Sequence, residues 1–155
     1  MRKILFLFLL FFLSSCSLFK TSELYKGYTV LPLVKSKGML FLNVTLNGKN
    51  AMLLIDTGSS KSILDINKEN KYNFKHTNFK NERFIGIGGI QDIYIVYDYK
   101  IDGFLISMVG TTLEEITPYF FSDGIEIVGI IGSDFLNDKE AKIDYTNQIL
   151  YIKNY

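Results

Sequence analysis

The chain has 155 residues, of which 48% are hydrophobic and 21% charged, so its length allows one compact domain but not two. A formal net charge of +1 excludes the strongly basic surface typical of nucleic-acid binders. With one Cys and one His, the sequence excludes an intramolecular disulfide and a tetrahedral Cys/His zinc site, and it implies no metal or other cofactor. The 10 Tyr and 13 Phe residues favour strands and predict an all-β or β-rich domain.

The first 15 residues are typical of a secretory signal peptide. Arg2 and Lys3 give a positive start, and residues 4–13 form an apolar run too short to span a bilayer. The following Leu-Ser-Ser-Cys sequence, which ends at Cys16, resembles the lipobox of bacterial lipoproteins. That resemblance implies cleavage before Cys16, a lipid on its thiol and a location in the bacterial cell envelope. Residues 16–24 are then the lipidated Cys and a tether, and residues 25–155 the domain; the alternative is a plain signal peptide with an incidental Cys.

The chain after Thr29 alternates short apolar runs with turn residues, which predicts strands. Asn47-Gly48 favours positive φ angles and predicts a hairpin between the apolar runs on either side. Residues 66–83 are rich in Asn and Lys and are expected to form a solvated excursion, with His76 at the surface. One short helix is expected, at Ser133–Asp138. Further strands are expected at 62–64, 84–99, 104–109 and 125–131, with a terminal hairpin formed by 143–145 and 149–152.

A carboxylate directly follows one of these apolar strands, in the sequence Asp56-Thr57-Gly58. A charged residue rarely ends a buried strand without a specific role. Asp-Thr-Gly alone would occur by chance in about a few per cent of chains this long, so its context matters more than the tripeptide. Ser59 follows it, and a second apolar segment ending in glycine, Ile130-Ile131-Gly132, occurs later in the chain.

In these motifs the sequence resembles the single-domain, retropepsin-like branch of the aspartic proteases. The resemblance implies an all-β fold, a closed or partly open acid-protease-type β-barrel, with Asp56, Thr57 and Gly58 as the catalytic loop. Ile130, Ile131 and Gly132 match the segment that supports this loop, and Thr57 would offer its hydroxyl to backbone across the paired site. Ser59 is a further supporting residue and an expected hydrogen-bond partner of Asp56. The flap that would close over substrate matches Ile85, Gly86, Ile87, Gly88 and Gly89.

The expected chemistry needs two carboxylates that share one proton. A single exposed Asp, with a pKa of about 3.9, is a poor general base at neutral pH and a worse acid. A close pair titrates in two steps, and its singly protonated form can activate a water while protonating the substrate carbonyl. Because the chain has one Asp-Thr-Gly, the pair requires a homodimer in which two copies of Asp56 meet. Gly58 would allow the two loops to approach.

These features predict a membrane-anchored aspartic endopeptidase that acts on a peptide or protein substrate. One alternative is a non-catalytic module of the same fold that binds peptides or assembles partners at the envelope. Another is a β-barrel lipoprotein with a structural or ligand-carrying role, in which Asp56-Thr57-Gly58 is an ordinary turn. Gly86, Gly88 and Gly89 suit a simple turn as well as a flap. The length of the 66–83 excursion and the carboxylate of Asp134 depart from the family pattern.

Overall fold

The computed structural model describes residues 25–86, 89–96, 99–101, 103–114 and 125–154. Its elements are β1 (Tyr28–Ser36), β2 (Met39–Leu46), β3 (Lys49–Ile55), β4 (Ile63–Asp65), a 3-10 helix (Ile66–Lys68), α1 (Glu69–Tyr72), β5 (His76–Gly86), β6 (Gly89–Val96), β7 (Tyr99–Ile101), β8 (Phe104–Ile106), β9 (Val109–Thr111), β10 (Ile127–Ile131), α2 (Ser133–Asp138), β11 (Lys142–Asp144) and β12 (Ile149–Lys153). None of the helices in these ranges is long and apolar enough to cross a membrane.

Ten of these strands form one sheet in the order β11-β12-β1-β2-β3-β10-β4-β9-β6-β5, and β7 and β8 pair separately. The prediction of a fold built almost entirely of strands is confirmed. The sheet is open, with β11 and β5 as its two ends among the described residues, so of the two expected forms, closed or partly open, the structure has the open one. A second short helix, α1, joins the one predicted at Ser133–Asp138.

The hairpin predicted at Asn47-Gly48 is confirmed. β2 and β3 pair antiparallel from Phe41 opposite Leu54 to Leu46 opposite Lys49. Asn47 and Gly48 have φ angles of 49° and 78°, the left-handed conformation that a tight two-residue hairpin turn requires. The turn therefore fixes the register that carries Leu53, Leu54 and Ile55 toward Asp56.

The strands at the centre of the sheet are covered on both faces. Successive side chains of β3 and β10 point to opposite faces of the sheet, so that Leu53 and Ile131 join one core cluster while Leu54 and Ile130 join the other. Every residue of β10 is buried. The uninterrupted apolar runs before Asp56 and Gly132 are thus explained by burial on two sides rather than one.

The predicted solvated excursion at 66–83 is wrong, because two of its aromatic residues belong to the core. Tyr72 and Phe74 are 4% and 2% exposed, respectively, and pack in the larger hydrophobic cluster. Asn73 ends α1 in the left-handed conformation, and its carbonyl accepts a hydrogen bond of 2.8 Å from the Asn47 side chain. Asn and Lys residues dominate the composition of this segment, so composition alone did not reveal that both rings are buried.

His76 is also not the free surface residue that was expected. Its side chain is half-buried at the start of β5, with Nδ1 2.5 Å from Glu69 Oε2. The ring packs edge-on against Tyr94 at a centroid distance of 5.1 Å. These contacts tie α1 to the base of the β5–β6 hairpin.

The predicted terminal hairpin is confirmed, and it continues the sheet beyond β1. β12 pairs antiparallel with both β11 and β1. In the turn, Asp144 Oδ1 accepts hydrogen bonds from the N–H groups of Thr146 at 3.0 Å and Asn147 at 2.9 Å. The bonds from Asn147 lower the pKa of the Asp144 carboxyl. The end of the described chain is therefore built into its own sheet.

Candidate active site

Asp56 lies at the end of β3, where β10 runs parallel beside it. Leu54 is opposite Ile130 and Ile55 is opposite Ile131, and the Asp56 N–H donates to the Ile131 carbonyl at 3.0 Å. The structure thus brings together the two motifs identified in the sequence. β10 also pairs antiparallel with β4, so it is inserted between the strands on either side of the Asp56 loop.

The Asp56 loop is a tight turn that holds its own carboxylate. Asp56 Oδ1 accepts a hydrogen bond of 2.9 Å from the Gly58 N–H, and the Asp56 carbonyl accepts one of 3.2 Å from the Ser59 N–H. Asp56 is half-buried, whereas Thr57 and Gly58 are exposed. A Cβ on residue 58 would lie 3.2 Å from Asp56 Oδ1, so glycine leaves this oxygen uncrowded. The result is a fixed carboxylate at an accessible turn.

Ser59 supports the loop through bonds other than the one expected. Its hydroxyl donates to the Lys61 carbonyl at 2.7 Å and not to the Asp56 carboxylate. Because a hydroxyl has one proton, this bond uses the donor that the predicted contact needs. The Ser59 carbonyl accepts bonds from Ser133 N–H at 2.8 Å and Ser133 Oγ at 2.9 Å, which link the Asp56 loop to the start of α2.

Glycine is needed at position 132 because the backbone at Lys61 passes very close to it. A Cβ there would lie 2.3 Å from the Lys61 carbonyl oxygen, a distance that no side chain can occupy without backbone movement. The Gly132 N–H donates to Ser62 Oγ at 3.0 Å. Its predicted supporting position is therefore adjacent to the Asp56 loop, with Ser62 as the intermediate.

Asp134, to which the sequence analysis assigned no role, stabilises the junction between the start of α2 and Ser62, which follows the Asp56 loop. Its carboxylate accepts hydrogen bonds from Ser62 N–H at 2.9 Å, Ser62 Oγ at 2.7 Å and Phe135 N–H at 2.8 Å. Ser62 is 0% exposed, so these bonds satisfy a serine that water does not reach. Ser62 was missed because a serine directly before a short apolar strand gives no signal by itself. Its partner lies 72 residues away in the chain.

We expect Asp134→Ala to lower the free energy of unfolding by about 3 kcal/mol, because it leaves the buried Ser62 N–H without its acceptor and removes the strongest bonds of the junction. Urea unfolding followed by circular dichroism measures the change. Asp138→Ala is the matched control, because Asp138 lies on the same helix with a largely exposed carboxylate that pairs with Lys139 at 2.7 Å. The control should change stability by at most about 0.5 kcal/mol. Equal losses in the two variants would contradict the assigned role of Asp134.

Asp65, at the end of β4, is a buried carboxylate that sequence reasoning did not single out. Desolvation raises the pKa of its carboxyl, against hydrogen bonds from the N–H groups of Asn67 at 3.1 Å and Leu113 at 3.4 Å. By strand register, Asp65 lies beside Val128 on β10, whereas Asp56 lies beside Gly132, four residues further along the chain. Four residues along a strand correspond to about 13 Å, so Asp65 and Asp56 cannot share a proton.

The predicted flap coincides with the β5–β6 hairpin. Ile85 is opposite Ile90 and Gly86 is opposite Gly89, which has a φ angle of 84°. Ile87 and Gly88, which follow Gly86 in the chain, lie outside the described residues. Four strands lie between β3 and β5 in the sheet order, so strand pairing alone does not bring this hairpin to Asp56.

Comparisons with known proteins relate this arrangement to other chains. A model of the family described as "Aspartyl protease" matches residues 42–135. The EIAV protease, solved in complex with the inhibitor HBY-793, is 21% identical with a TM-score of 0.51, over 72% of this chain and 99% of that one. A retropepsin-like aspartic protease from Rickettsia conorii is 14% identical with a TM-score of 0.49, over 83% of this chain and 91% of that one. No curated protein matches the chain.

The family match includes both halves of the candidate site. It spans more than half of the chain and contains the Asp56 loop, β10, Gly132 and Asp134. The fold of the EIAV protease matches independently, over nearly the whole of that chain. With the Asp-Thr-Gly turn held against a buried Ile-Ile-Gly strand, this chain belongs to the aspartyl protease family and has the retropepsin-like fold.

Proposed function

We propose that this protein is an aspartic endopeptidase, anchored to a bacterial membrane, which cleaves peptide bonds with a pair of Asp56 carboxylates from two chains. The observation that carries the proposal is the Asp56 loop itself. Its carboxylate is held by the Gly58 N–H at 2.9 Å, is not covered by a side chain at Gly58, and lies at an accessible turn. Family membership supports the same chemistry.

The second carboxylate of the pair comes from a second copy of the chain. Among the described residues, Asp65 is about 13 Å further along the strands, and Asp134 is occupied by Ser62 and Phe135. Thr57 and Gly58 are exposed, so the loop has a free face to present to its symmetry mate. One carboxylate then removes a proton from water while the other, protonated, donates its proton to the carbonyl oxygen of the substrate.

The substrate is an extended peptide. It would lie between the β5–β6 hairpin and the carboxylate pair, and would form backbone hydrogen bonds as an added strand does. Ile85, Gly86 and Gly89 belong to this hairpin in the proposal, together with Ile87 and Gly88 at its tip.

The direct test is to incubate the purified protein with a peptide library, with and without a pepstatin-type inhibitor. We expect cleavage that the inhibitor suppresses and that a chelator leaves unchanged. Binding of peptides without any cleavage would instead establish the alternative, a non-catalytic module of the same fold. If the protein neither cleaves nor binds peptides, only the structural or ligand-carrying role remains.

Membrane anchoring is the part of the proposal that depends on Cys16. We expect Cys16→Ala to abolish incorporation of a fatty-acid analogue in metabolic labelling, because the chain has no other cysteine thiol to accept the lipid. The variant should also accumulate as an uncut precursor. Ser15→Ala, which keeps a small residue before Cys16, is the control and should label like the wild type. Equal labelling of the wild type and Cys16→Ala would contradict the anchor.

A further inference from the structure

On the side of β1 that faces away from the larger core, apolar side chains are exposed as far as Val34, whose partner on β2, Phe41, is already covered by the smaller cluster. Val30 and Val34 are 53% and 43% exposed, and Pro32 between them is also exposed, whereas Leu33 on the other side is buried. Tyr28 continues the same row by alternation along the strand. A row without one charged residue on the exposed side of a strand is typical of a binding surface rather than of a solvated one.

Three strands contribute to this surface, which we call the outer face. Val30 is opposite Tyr151 on β12, and Tyr151 is opposite Lys142 on β11. Residues directly opposite one another point to the same side of a sheet, so these side chains form a line across the outer face. The outer face is thus the row from Tyr28 to Val34 together with Tyr151 and Lys142.

A cluster of tyrosines and one lysine lies at the Tyr28 end of the outer face. The ring of Tyr25 stacks on that of Tyr151 at 3.8 Å and meets Tyr28 edge-on at 6.1 Å. Lys142 Nζ is 4.6 Å from the centre of the Tyr28 ring and 5.2 Å from that of Tyr25. Tyrosine and lysine each combine an apolar body with a polar tip, the composition that proteins place where a membrane meets water.

The chain approaches this cluster from the direction of the proposed lipid. Tyr25, which stacks in the cluster, is nine residues after Cys16, so the lipidated residue lies within about 30 Å whatever the path between them. Lys26, next in the chain, is exposed. Lys26 and Lys142 place two positive charges here against one negative charge, that of Asp144, which lies level with Pro32 and Ile149 on the same face. The balance at this end is positive, which is complementary to anionic headgroups.

The cluster is also far from the catalytic loop. Ser36, at the other end of β1, pairs with Met39, and Phe41 pairs with Leu54, two residues before Asp56. The nine residues of β1 span about 26 Å, so the Asp56 loop and the tyrosine cluster lie toward opposite ends of the strand. The second copy that completes the active site must meet the Asp56 end, and the meeting of the two Asp56 loops does not require the tyrosine end.

We propose that the outer face docks on the surface of an anionic phospholipid bilayer, with the tyrosine cluster at headgroup level and the Asp56 loop turned away from the lipid. The inference rests on the lipid anchor of the proposed function and adds an orientation to it. A lipid anchor alone would leave the orientation of the domain relative to the membrane undetermined. Contact through the outer face fixes which peptides reach the site, namely those that extend outward from the membrane.

The chain has no tryptophan, so one introduced residue reports on its own surroundings. We would place Val30→Trp on the outer face and, as the matched control, Leu105→Trp on β8, where the leucine is 63% exposed. The full lipidated protein, carrying Asp56→Asn to prevent self-cleavage, is reconstituted in phosphatidylcholine vesicles containing about one third phosphatidylglycerol and brominated acyl chains. Fluorescence of the Val30→Trp protein should be blue-shifted and quenched about threefold more than that of the control.

A charge reversal then tests the role of the lysine. Lys142→Glu in the Val30→Trp protein should reduce quenching toward the control value, whereas Lys100→Glu, an equal change of charge on β7, should not. Equal and weak quenching of Val30→Trp and Leu105→Trp would overturn the proposal. A blue shift that follows protein density but not bromination would also overturn it, since a second copy would then cover the outer face.

Flotation and cleavage on the same vesicles separate this inference from the proposed function. A protein that floats with the vesicles but shows no quenching at Val30→Trp keeps its anchor and loses the docking. Quenching as expected, combined with no peptide cleavage by the protein with Asp56 intact, keeps the docking and removes the protease. If the protein does not float with the vesicles, the lipid anchor is refuted, and so is the docking, which depends on the anchor.

Discussion

Replacing Asp56 with Asn should abolish peptide cleavage, with kcat lower by about 10³-fold or more, because an amide can neither take a proton from water nor carry the negative charge. The fold should survive. The amide oxygen can still accept the 2.9 Å bond from the Gly58 N–H, so the loop keeps its geometry. Peptide cleavage followed by chromatography gives the rate, and circular dichroism on heating gives the stability.

The matched control for this change is Asp138→Asn, an identical substitution at a largely exposed carboxylate on α2. It should leave the rate within about twofold of the wild type, since surface pairs contribute little. If Asp56→Asn cleaved peptide about as fast as Asp138→Asn, Asp56 would not be the catalytic carboxylate. A loss of rate together with a loss of the folded signal would point to a structural role instead.

Local patterns in the sequence were sufficient for the parts of the fold that depend on neighbouring residues. Asn47-Gly48 predicted the β2–β3 hairpin because a two-residue turn needs two positive φ angles, and both are present. The apolar runs before Asp56 and Gly132 predicted strands. That these two strands lie side by side followed from the resemblance to a family, because parallel pairing leaves no local signature.

Contacts between distant residues account for what the sequence did not reveal. The role of Asp134 depends on Ser62, 72 residues earlier, and neither residue indicates the other. In the 66–83 segment, composition averaged over many Asn and Lys residues concealed Tyr72 and Phe74, whose rings fill the core. His76 was placed at the surface for the same reason, although Glu69 and Tyr94 enclose it.

The proposed homodimer predicts the second large effect, a dependence of activity on protein concentration. In detergent, the purified wild type should lose activity per chain on dilution, because a complete site needs two copies and dimers dissociate by mass action. On a membrane the proposed lipid anchor would confine the chains to a surface, which would raise their effective concentration and allow a weak dimer to work. Analytical ultracentrifugation at the same concentrations should show dissociation over the range in which activity falls.

Mixing wild type with a threefold excess of Asp56→Asn provides the sharper test. If subunits exchange freely, a wild-type chain finds a wild-type partner about one time in four, so activity per wild-type chain should fall to about a quarter. An equal excess of the double variant Asp56→Asn with Gly132→Ala should inhibit much less, because a Cβ at residue 132 would lie 2.3 Å from the Lys61 carbonyl oxygen and displace the loop that must meet its mate. If the enzyme were a monomer, neither addition would change the activity per wild-type chain. Undiminished activity in the first mixture, with subunit exchange verified by a labelled chain, would therefore exclude a site made of two Asp56 residues. It would leave either a different protein that supplies the second carboxylate or a chemistry without the carboxylate pair.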